Sequence, residues 1–354
     1  MTFRRTAAPT AALTVCALLG ACGAPSPEKS GTGGTDGKPS VVVGFYPLQY
    51  AAERIGGDRI HVTNLTRPGG EPHDAELTPK DVAAVADADL AVHEKGMQPA
   101  LDDAVAAENP DKAFDVATVA QLDAPVPEPV ADLGGDGHDH AHGDEHAHEE
   151  GHEEGHEGHD HAHEGEGHEG EEKGHEGHSH DHGTVDPHFW LDPVRYEAVA
   201  AALTERLSQV DPEGKATYEA NLADLRRDLE AVDAEYEKGL EKCRSTTLVT
   251  GHAAFGYLAA RYGLTQAAIS GLSPESEPDP ARLAAVADYV RKHDVSTIYA
   301  ETLTSPAVAE TVARETGART AVLDPIEGLT KDGTDYLGLM RSNLATLRTG
   351  QGCS

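Results

Sequence analysis

Residues 136–182 hold 15 of the chain's 21 histidines and 17 acids against one lysine, with no Val, Leu, Ile, Met, Phe, Tyr or Trp. A stretch without large apolar side chains buries nothing that offsets the entropy of ordering its backbone. It is therefore expected to stay disordered and to join no core. Whatever folds must be assembled from the flanks on either side. Within the stretch, "HEEGHEEGHEGHDHAH" contains two overlapping H-E-x-x-H spacings, His148–His152 and His152–His156. On a supported helix that spacing marks a zinc peptidase. Here Gly151 and Gly155 interrupt it and no apolar neighbour fixes a helix. The run is poor evidence for catalysis and fair evidence for zinc. Its histidines, among them His138, His140, His142, His146, His148, His152, His156, His159, His161 and His163, are expected to serve as an auxiliary metal loop. Their affinity should fall as imidazoles protonate below about pH 6.5.

A formal charge of -34 repels nucleic acid and anionic lipid and attracts small cations, so no nucleic-acid partner is expected. The first 22 residues read as a targeting segment, with Arg4 and Arg5 ahead of a short apolar run from Ala11 to Leu19. That run is too short to cross a bilayer as a helix. "LGAC", Leu19 to Cys22, resembles a bacterial lipoprotein signal in which Cys22 becomes the lipid-bearing N-terminus; an ordinary secretory signal is the other reading. A Gly/Ser/Pro tether follows over residues 23–39. With Cys16 in the signal and Cys22 acylated, Cys243 and Cys353 remain. An even pair in an exported chain suggests a disulfide, and two free thiols are the alternative.

From Ser40 onward, strand-like and helix-like runs alternate. "SVVVGFY" reads as a buried strand, "PLQYAAERIGGD" as a helix, "IHVTNL" as a strand, "TPKDVAAVADA" as a helix capped by Thr78, and "DLAVHE" as a strand. After the His-rich run, Tyr196, Val199, Leu203, Leu207 and Val210 share one helix face. A second helix opens at Asp211 with Pro212 at its first position and repeats Tyr218, Leu222, Leu225, Leu229, Val232, Tyr236 and Leu240 by threes and fours. At about 45 Å it exceeds one layer of a small domain and is expected to bridge two, with a partner-binding coiled coil as the rival reading. "TTLVT", "QAAIS", "STIYA" and "TAVLD" then alternate with helices near Ala254–Tyr262, Pro280–His293 and Pro306–Thr316. The expected fold class is α/β: two lobes with parallel sheets flanked by helices, joined by a long helix. The expected boundaries are 40–135 for the N-terminal lobe, 136–182 for the loop, 183–210 for the end of that lobe, 211–242 for the linking helix and 243–354 for the C-terminal lobe.

Six histidines lie outside the His-rich run. His61, His93 and His293 sit in or beside regular elements, where a structural or surface role is expected. His73 follows a Gly-Gly-Glu-Pro turn, His188 lies in a Pro-flanked loop and His252 follows "TLVTG". Open α/β sheets bind ligands at the carboxyl ends of their strands, and Asp324 and Glu301 meet the same criterion. Three imidazoles and one carboxylate suit tetrahedral zinc. On spacing alone, three unrelated loop histidines would explain the pattern equally well.

"GGEPHDAELTP", "DPHFWLDP", "GHAAFGYLAARYGL", "GLSPESEPDPARL" and "TAVLDPIEGLT" together resemble the metal-binding class of ABC-transporter solute-binding proteins, in its zinc branch. The likeness runs from about Val41 to about Leu347, interrupted by the His-rich run. It implies a metal cleft between two α/β lobes on a rigid helix, with ligands at His73, His188, His252 and Asp324. It also implies zinc over manganese, because manganese-type relatives tend to carry Glu where this chain has His252. Zinc members vary at the fourth position, where Glu71, a water or a loop histidine are alternatives to Asp324. Tyr46, Glu71 and Glu301 are expected to border the site; packing at strand ends would account for Tyr46 and Glu301 equally.

The function implied is a monomeric, lipid-anchored extracytoplasmic receptor that hands Zn²⁺ to an ABC permease, with zinc as cargo and no chemical step. The rivals are a manganese or other divalent-metal receptor of the same class, a zinc hydrolase, and a passive His-rich store. A hydrolase needs an open metal position and a base such as Glu301 or Glu71 over bound water, yet no nucleophile or oxyanion motif accompanies them. A passive store leaves the ordered motifs outside the run unexplained.

Overall fold

A computed structural model describes residues 37–123, 185–275, 278–329 and 334–354. The signal and nearly all of the tether, Cys22, and the His-rich run with its auxiliary histidines lie outside them.

The first half runs β1 (Ser40–Val43), α1 (Tyr46–Gly56), β2 (His61–Asn64), α2 (Pro79–Asp87), β3 (Leu90–His93), α3 (Pro99–Glu108) and β4 (Ala113–Asp115). Two helices follow, α4 (Pro193–Val210) and α5 (Lys215–Leu240). The second half runs β5 (Thr247–Thr250), α6 (Gly256–Arg261), β6 (Thr265–Ala268), α7 (Pro280–Lys292), β7 (Thr297–Glu301), α8 (Ala307–Thr316), β8 (Arg319–Leu323) and α9 (Tyr336–Gly350). The strands form two parallel four-stranded sheets, ordered β2-β1-β3-β4 and β6-β5-β7-β8. Each reverses direction of growth beside its first strand, which opens a crevice at the carboxyl ends of its two central strands. The expected α/β class holds, and α3, β4 and α9 add to the elements read from the sequence.

The two sheets share more than their order. Val43 pairs with Val92 in the first sheet, and Thr250 pairs with Tyr299 in the second. At the same spacing, Val42, Gly44, Tyr50, Ala52, Arg54 and Gly56 recur as Val249, Gly251, Tyr257, Ala259, Arg261 and Gly263. Both copies of the arginine bind α5. Arg54 Nη2 reaches Asp228 at 2.7 Å, and Arg261 grips both oxygens of Asp233 at 2.6 and 2.5 Å.

α5 carries the expected apolar face, with Tyr218, Leu222, Leu225, Leu229, Val232, Tyr236 and Leu240 all buried. Its beginning differs from expectation: Pro212–Gly214 is a 3-10 turn, held because Asp211 accepts from the Gly214 N–H at 3.2 Å, and the α-helix starts at Lys215. At its early end Asn221 donates to the Ile55 carbonyl at 2.8 Å on α1; at its late end the Tyr236 hydroxyl donates to the Met340 carbonyl at 2.6 Å on α9. One core cluster accordingly contains Val41 and Val43 of the first sheet, the α5 face, and Leu248 and Leu323 of the second. Coiled-coil association would need that face free, and it is already buried.

Cys243, just past α5, forms a disulfide with Cys353, just past α9. The bridge closes a separation of 110 residues. In the chain-entropy picture a loop of that size is worth up to about 5 kcal/mol, and removing such bridges typically costs about 2–5 kcal/mol. Cys353→Ser, compared with the oxidised wild type by denaturant unfolding, is expected to lose stability in that range; an unchanged midpoint would show that the bridge does not constrain the unfolded chain.

Candidate metal centre

His73 follows β2, in the loop that leads to the capping box of Thr78 and Asp81 at the start of α2. His188 immediately precedes a 3-10 turn at Phe189–Leu191 that leads into α4. His252 lies two residues past β5, and the chain beyond β8 turns back through Asp324, Pro325 and Ile326 to Glu327. These four residues, His73, His188, His252 and Glu327, each bring one donor atom into a group lying within 4.8 Å of one another. All four are buried, at 4, 0, 1 and 1% exposure. Among the described residues no other group of this kind occurs.

The imidazoles meet through Nε2. His73 Nε2 and His188 Nε2 are 3.3 Å apart; Glu327 Oε1 stands 3.0 Å from His252 Nε2, 3.1 Å from His188 Nε2 and 3.9 Å from His73 Nε2. Four donors held about 2.0–2.1 Å from a tetrahedral zinc are separated by about 3.3 Å. The observed separations bracket that edge. Behind two of the rings stands a carboxylate on Nδ1. Asp186 Oδ1 lies 2.7 Å from His188 Nδ1 and accepts from its backbone N–H at 2.9 Å. Glu301, at the end of β7, accepts from the His252 backbone N–H at 2.8 Å and bonds its Nδ1 through the other oxygen. A partner on Nδ1 leaves Nε2 as the lone-pair nitrogen, the tautomer a metal needs. Gly251 makes room for this, since a Cβ there would press to 3.0 Å from Glu301 Oε1.

Asp324 is placed differently from expectation. It is buried at the end of β8, but its Oδ1 accepts from the Ile326 N–H at 2.8 Å, and it is not among the four gathered donors. Asn343 clamps its backbone from α9, accepting from its N–H at 2.9 Å and donating to its carbonyl at 2.6 Å. Asp324 thus closes a tight turn, in which Ile326 takes φ +60°, a strained backbone for a β-branched residue. That turn is what carries Glu327 inward. Three further contacts fix it: the Trp190 indole donates to the Pro325 carbonyl at 2.8 Å, Tyr46 N–H to the Glu327 carbonyl at 3.3 Å, and Gly69 N–H to the Leu329 carbonyl at 3.0 Å. Tyr46 therefore borders the site through its backbone. Glu71 borders it by accepting from the His73 N–H at 3.0 Å.

Glu327 and Asp186 were both missed from the sequence, though "TAVLDPIEGLT" and "DPHFWLDP" contain them. An Asp-Pro dipeptide signals a turn after β8, and a turn displaces the inward-facing acid by a few residues. The remaining histidines stand apart: His93 Nδ1 pairs with Asp102 at 2.9 Å, His293 packs on the Tyr289 ring, and His61 is on β2.

The electrostatics follow from burial and crowding. Burial disfavours charge on Glu327, yet His252, His188 and His73 outweigh it and hold the carboxyl well below its usual range. Burial also opposes charge on His188 and His252; for His188 the Asp186 and Glu327 carboxylates overcome it, and for His252 Glu301 and Glu327 do, so both rings are pushed above the ordinary histidine value. For His73 burial wins and its pKa is lowered. Glu71 is pushed up to about 8, by burial first and the charge of Glu327 second. Asp324 is raised by burial.

Two parallel four-stranded sheets flanked by helices, with a buried His₃Glu donor group among the loops that follow their strands, match the two-lobe architecture of solved solute-binding proteins. Residues 41–350 match the family described as zinc-uptake complex component A, periplasmic, and the chain belongs to that family. It is 37% identical over 321 residues to the zinc-binding lipoprotein AdcA of Streptococcus pneumoniae, covering 88% of this chain and 56% of that protein. The chain thus spans little more than half the length of that curated relative. With the high-affinity zinc uptake system protein ZnuA of Bacillus subtilis it shares 35% identity, over 94% of this chain and 93% of that one. The crystal structure of Zn(II)-bound AdcA from Streptococcus pneumoniae superimposes with a TM-score of 0.65 at 31% identity, covering 89% of this chain and 58% of that one.

Two predictions follow from this geometry. Glu327→Ala should weaken zinc binding by more than about 100-fold, the upper end of what losing an outer-shell partner costs, whereas Asp324→Asn, which keeps the turn acceptor, should change it by less than about 10-fold. Competition against a chelator reads both, and the reverse ranking would return the ligand role to Asp324. Secondly, because the raised pKa values of His188 and His252 keep those rings charged to higher pH, zinc must displace their protons. Affinity should be fully developed only above those raised values and fall as pH drops through them. Calorimetry at pH 7 in buffers of different ionisation enthalpy should register proton release; none would show that both rings are already neutral.

Proposed function

We propose that this chain is an extracytoplasmic zinc receptor that captures Zn²⁺ on His73, His188, His252 and Glu327 and passes it to an ABC permease. The observation that carries the reading is the donor set itself: three imidazole Nε2 atoms and one carboxylate, buried, at separations that suit a tetrahedral ion. Imidazole-rich, four-donor sites suit zinc, while manganese favours more oxygen ligands. Four protein ligands leave no open coordination position for a hydrolytic water, which counts against the hydrolase reading. Three neutral imidazoles and one carboxylate leave the loaded site with net charge near +1.

The relatives named for zinc binding and zinc uptake support the same cargo. They also support an exported, membrane-anchored location, for which the lipid anchor at Cys22 is our proposal. Among the described residues no helix is long and apolar enough to cross a membrane. A monomer acting with a permease, and the lobe boundaries set out from the sequence, complete the proposal.

Release has a geometric route. His73 comes from the first half, and His252 and Glu327 from the second. The segment bearing His188 is bonded to both, through the Trp190 and Tyr257 side chains on the second half and packing of Trp190 on Phe45 in the first. Drawing the halves apart about α5 splits the ligand set whichever way that segment moves.

Deleting residues 136–182 should leave one tight zinc site, while changing His73, His188 and His252 together to Ala should abolish it. Stoichiometry and affinity measured on both variants decide the matter. Tight binding lost in the deletion and kept in the triple variant would place the function in the His-rich run instead.

A further inference from the structure

Gly256 opens α6, and nothing in its backbone calls for glycine. Its φ lies outside the left-handed region, and alanine is the better helix former. What it lacks is the Cβ. A methyl group there would lie 2.4 Å from Asp186 Oδ2 and 3.6 Å from Asp186 Cγ, with Gln266 Oε1 in ordinary contact at 3.8 Å. The first distance is closer than a carbon and an oxygen can approach without bonding. A side chain at position 256 and the Asp186 carboxylate therefore exclude each other.

Asp186 cannot give way without consequence. It is fully buried, and its Oδ1 accepts from the His188 backbone N–H at 2.9 Å and stands 2.7 Å from ring Nδ1. The two oxygens of a carboxylate move as one rigid group, so displacing Oδ2 draws Oδ1 off the ring. Oδ2 itself has no hydrogen-bond partner among the described residues, which leaves packing to set where it lies. Adjacent residues of α6 thus receive Asp186: Gly256 makes room for its side chain, and the Tyr257 hydroxyl donates to its carbonyl at 2.9 Å. The first half has no such seat. At the matching position, before Tyr50, stands Gln49, whose side chain bonds Asn64 and Glu53.

We propose that Gly256 is a positioning residue of the zinc site: its missing Cβ leaves room for Asp186 to hold the His188 ring with Nε2 toward the ion. Gly251 does the same for Glu301 behind His252, where a Cβ would press to 3.0 Å. The stretch from β5 into α6 therefore supplies the space for both carboxylates that back an imidazole. The inference rests on the zinc reading for its purpose, though the fit of Asp186 against Gly256 does not.

The test uses the whole chain in three variants: Gly256→Ala, Asp186→Ala and the two combined. Gly256→Ala should unfold in denaturant at the wild-type midpoint or above, because the atom that must move is the end of a side chain. It should nevertheless bind zinc about 10–100-fold more weakly, the cost of losing an outer-shell partner. The combined variant should bind within about 3-fold of Asp186→Ala, since the methyl then meets no obstacle and the two losses share one cause. Wild-type affinity in Gly256→Ala overturns the proposal, as do losses that multiply in the combined variant. If Gly256→Ala fails to fold, truncating Asp186 should restore folding, and a combined variant that also fails overturns it. NMR of the metal-free chain with ¹⁵N-labelled histidine adds a direct readout. The His188 Nδ1 proton, assigned by its absence in Asp186→Ala, should shift or vanish in Gly256→Ala while that of His252 stays; an unmoved His188 signal overturns the proposal. Wild type that binds no zinc would sink the receptor reading, and the NMR signal would still judge Gly256.

Discussion

The structure is organised around one buried negative charge. Glu327 is almost wholly removed from water, and an isolated carboxylate in that position would cost several kcal/mol. It is stabilised by three imidazole nitrogens at 3.0, 3.1 and 3.9 Å. The dependence runs both ways, because three crowded rings would repel any protons they carry without an anion at their centre. Everything that aims Glu327 inward therefore contributes to the site: the Asp324 side chain closing its turn, the strained Ile326 backbone, and the Trp190 and Tyr46 hydrogen bonds.

A second requirement is that donors far apart in the chain stay in register to within tenths of an ångström. The parallel sheets meet it by delivering His252 and Glu301 from adjacent strands, where their separation is fixed by the ladder that pairs Thr250 with Tyr299. α5 meets it on the larger scale. Its arginine-binding aspartates, Asp228 and Asp233, take matching residues from α1 and α6, so the two halves are anchored to one rod by the same device used twice.

Much of this was legible in the residues. The α5 face read by threes and fours is the face that is buried, and Thr78 caps α2 as expected, with Asp81 completing a capping box. Other parts left weaker traces. β4 has only three residues, too few for any periodicity to register. α9 does carry Tyr336, Met340, Leu344 and Leu347 at helical spacing, yet the expectations end with the strand before it. The internal repeat went unseen because six identities are scattered over fifteen positions, and only the paired ladders align them.

By itself the sequence determined the α/β class, the bridging helix, and three histidines at strand and loop ends suited to a soft, imidazole-binding metal, since periodicity and residue chemistry are local properties. The fourth donor and the carboxylates behind the rings were decided by tertiary structure alone. Asp324 and Glu327 are three residues apart and chemically alike; what separates a turn-closing acid from a site-facing one is the path of the backbone after β8. Trp190, Asn343 and Tyr46, distant in the chain, set that path.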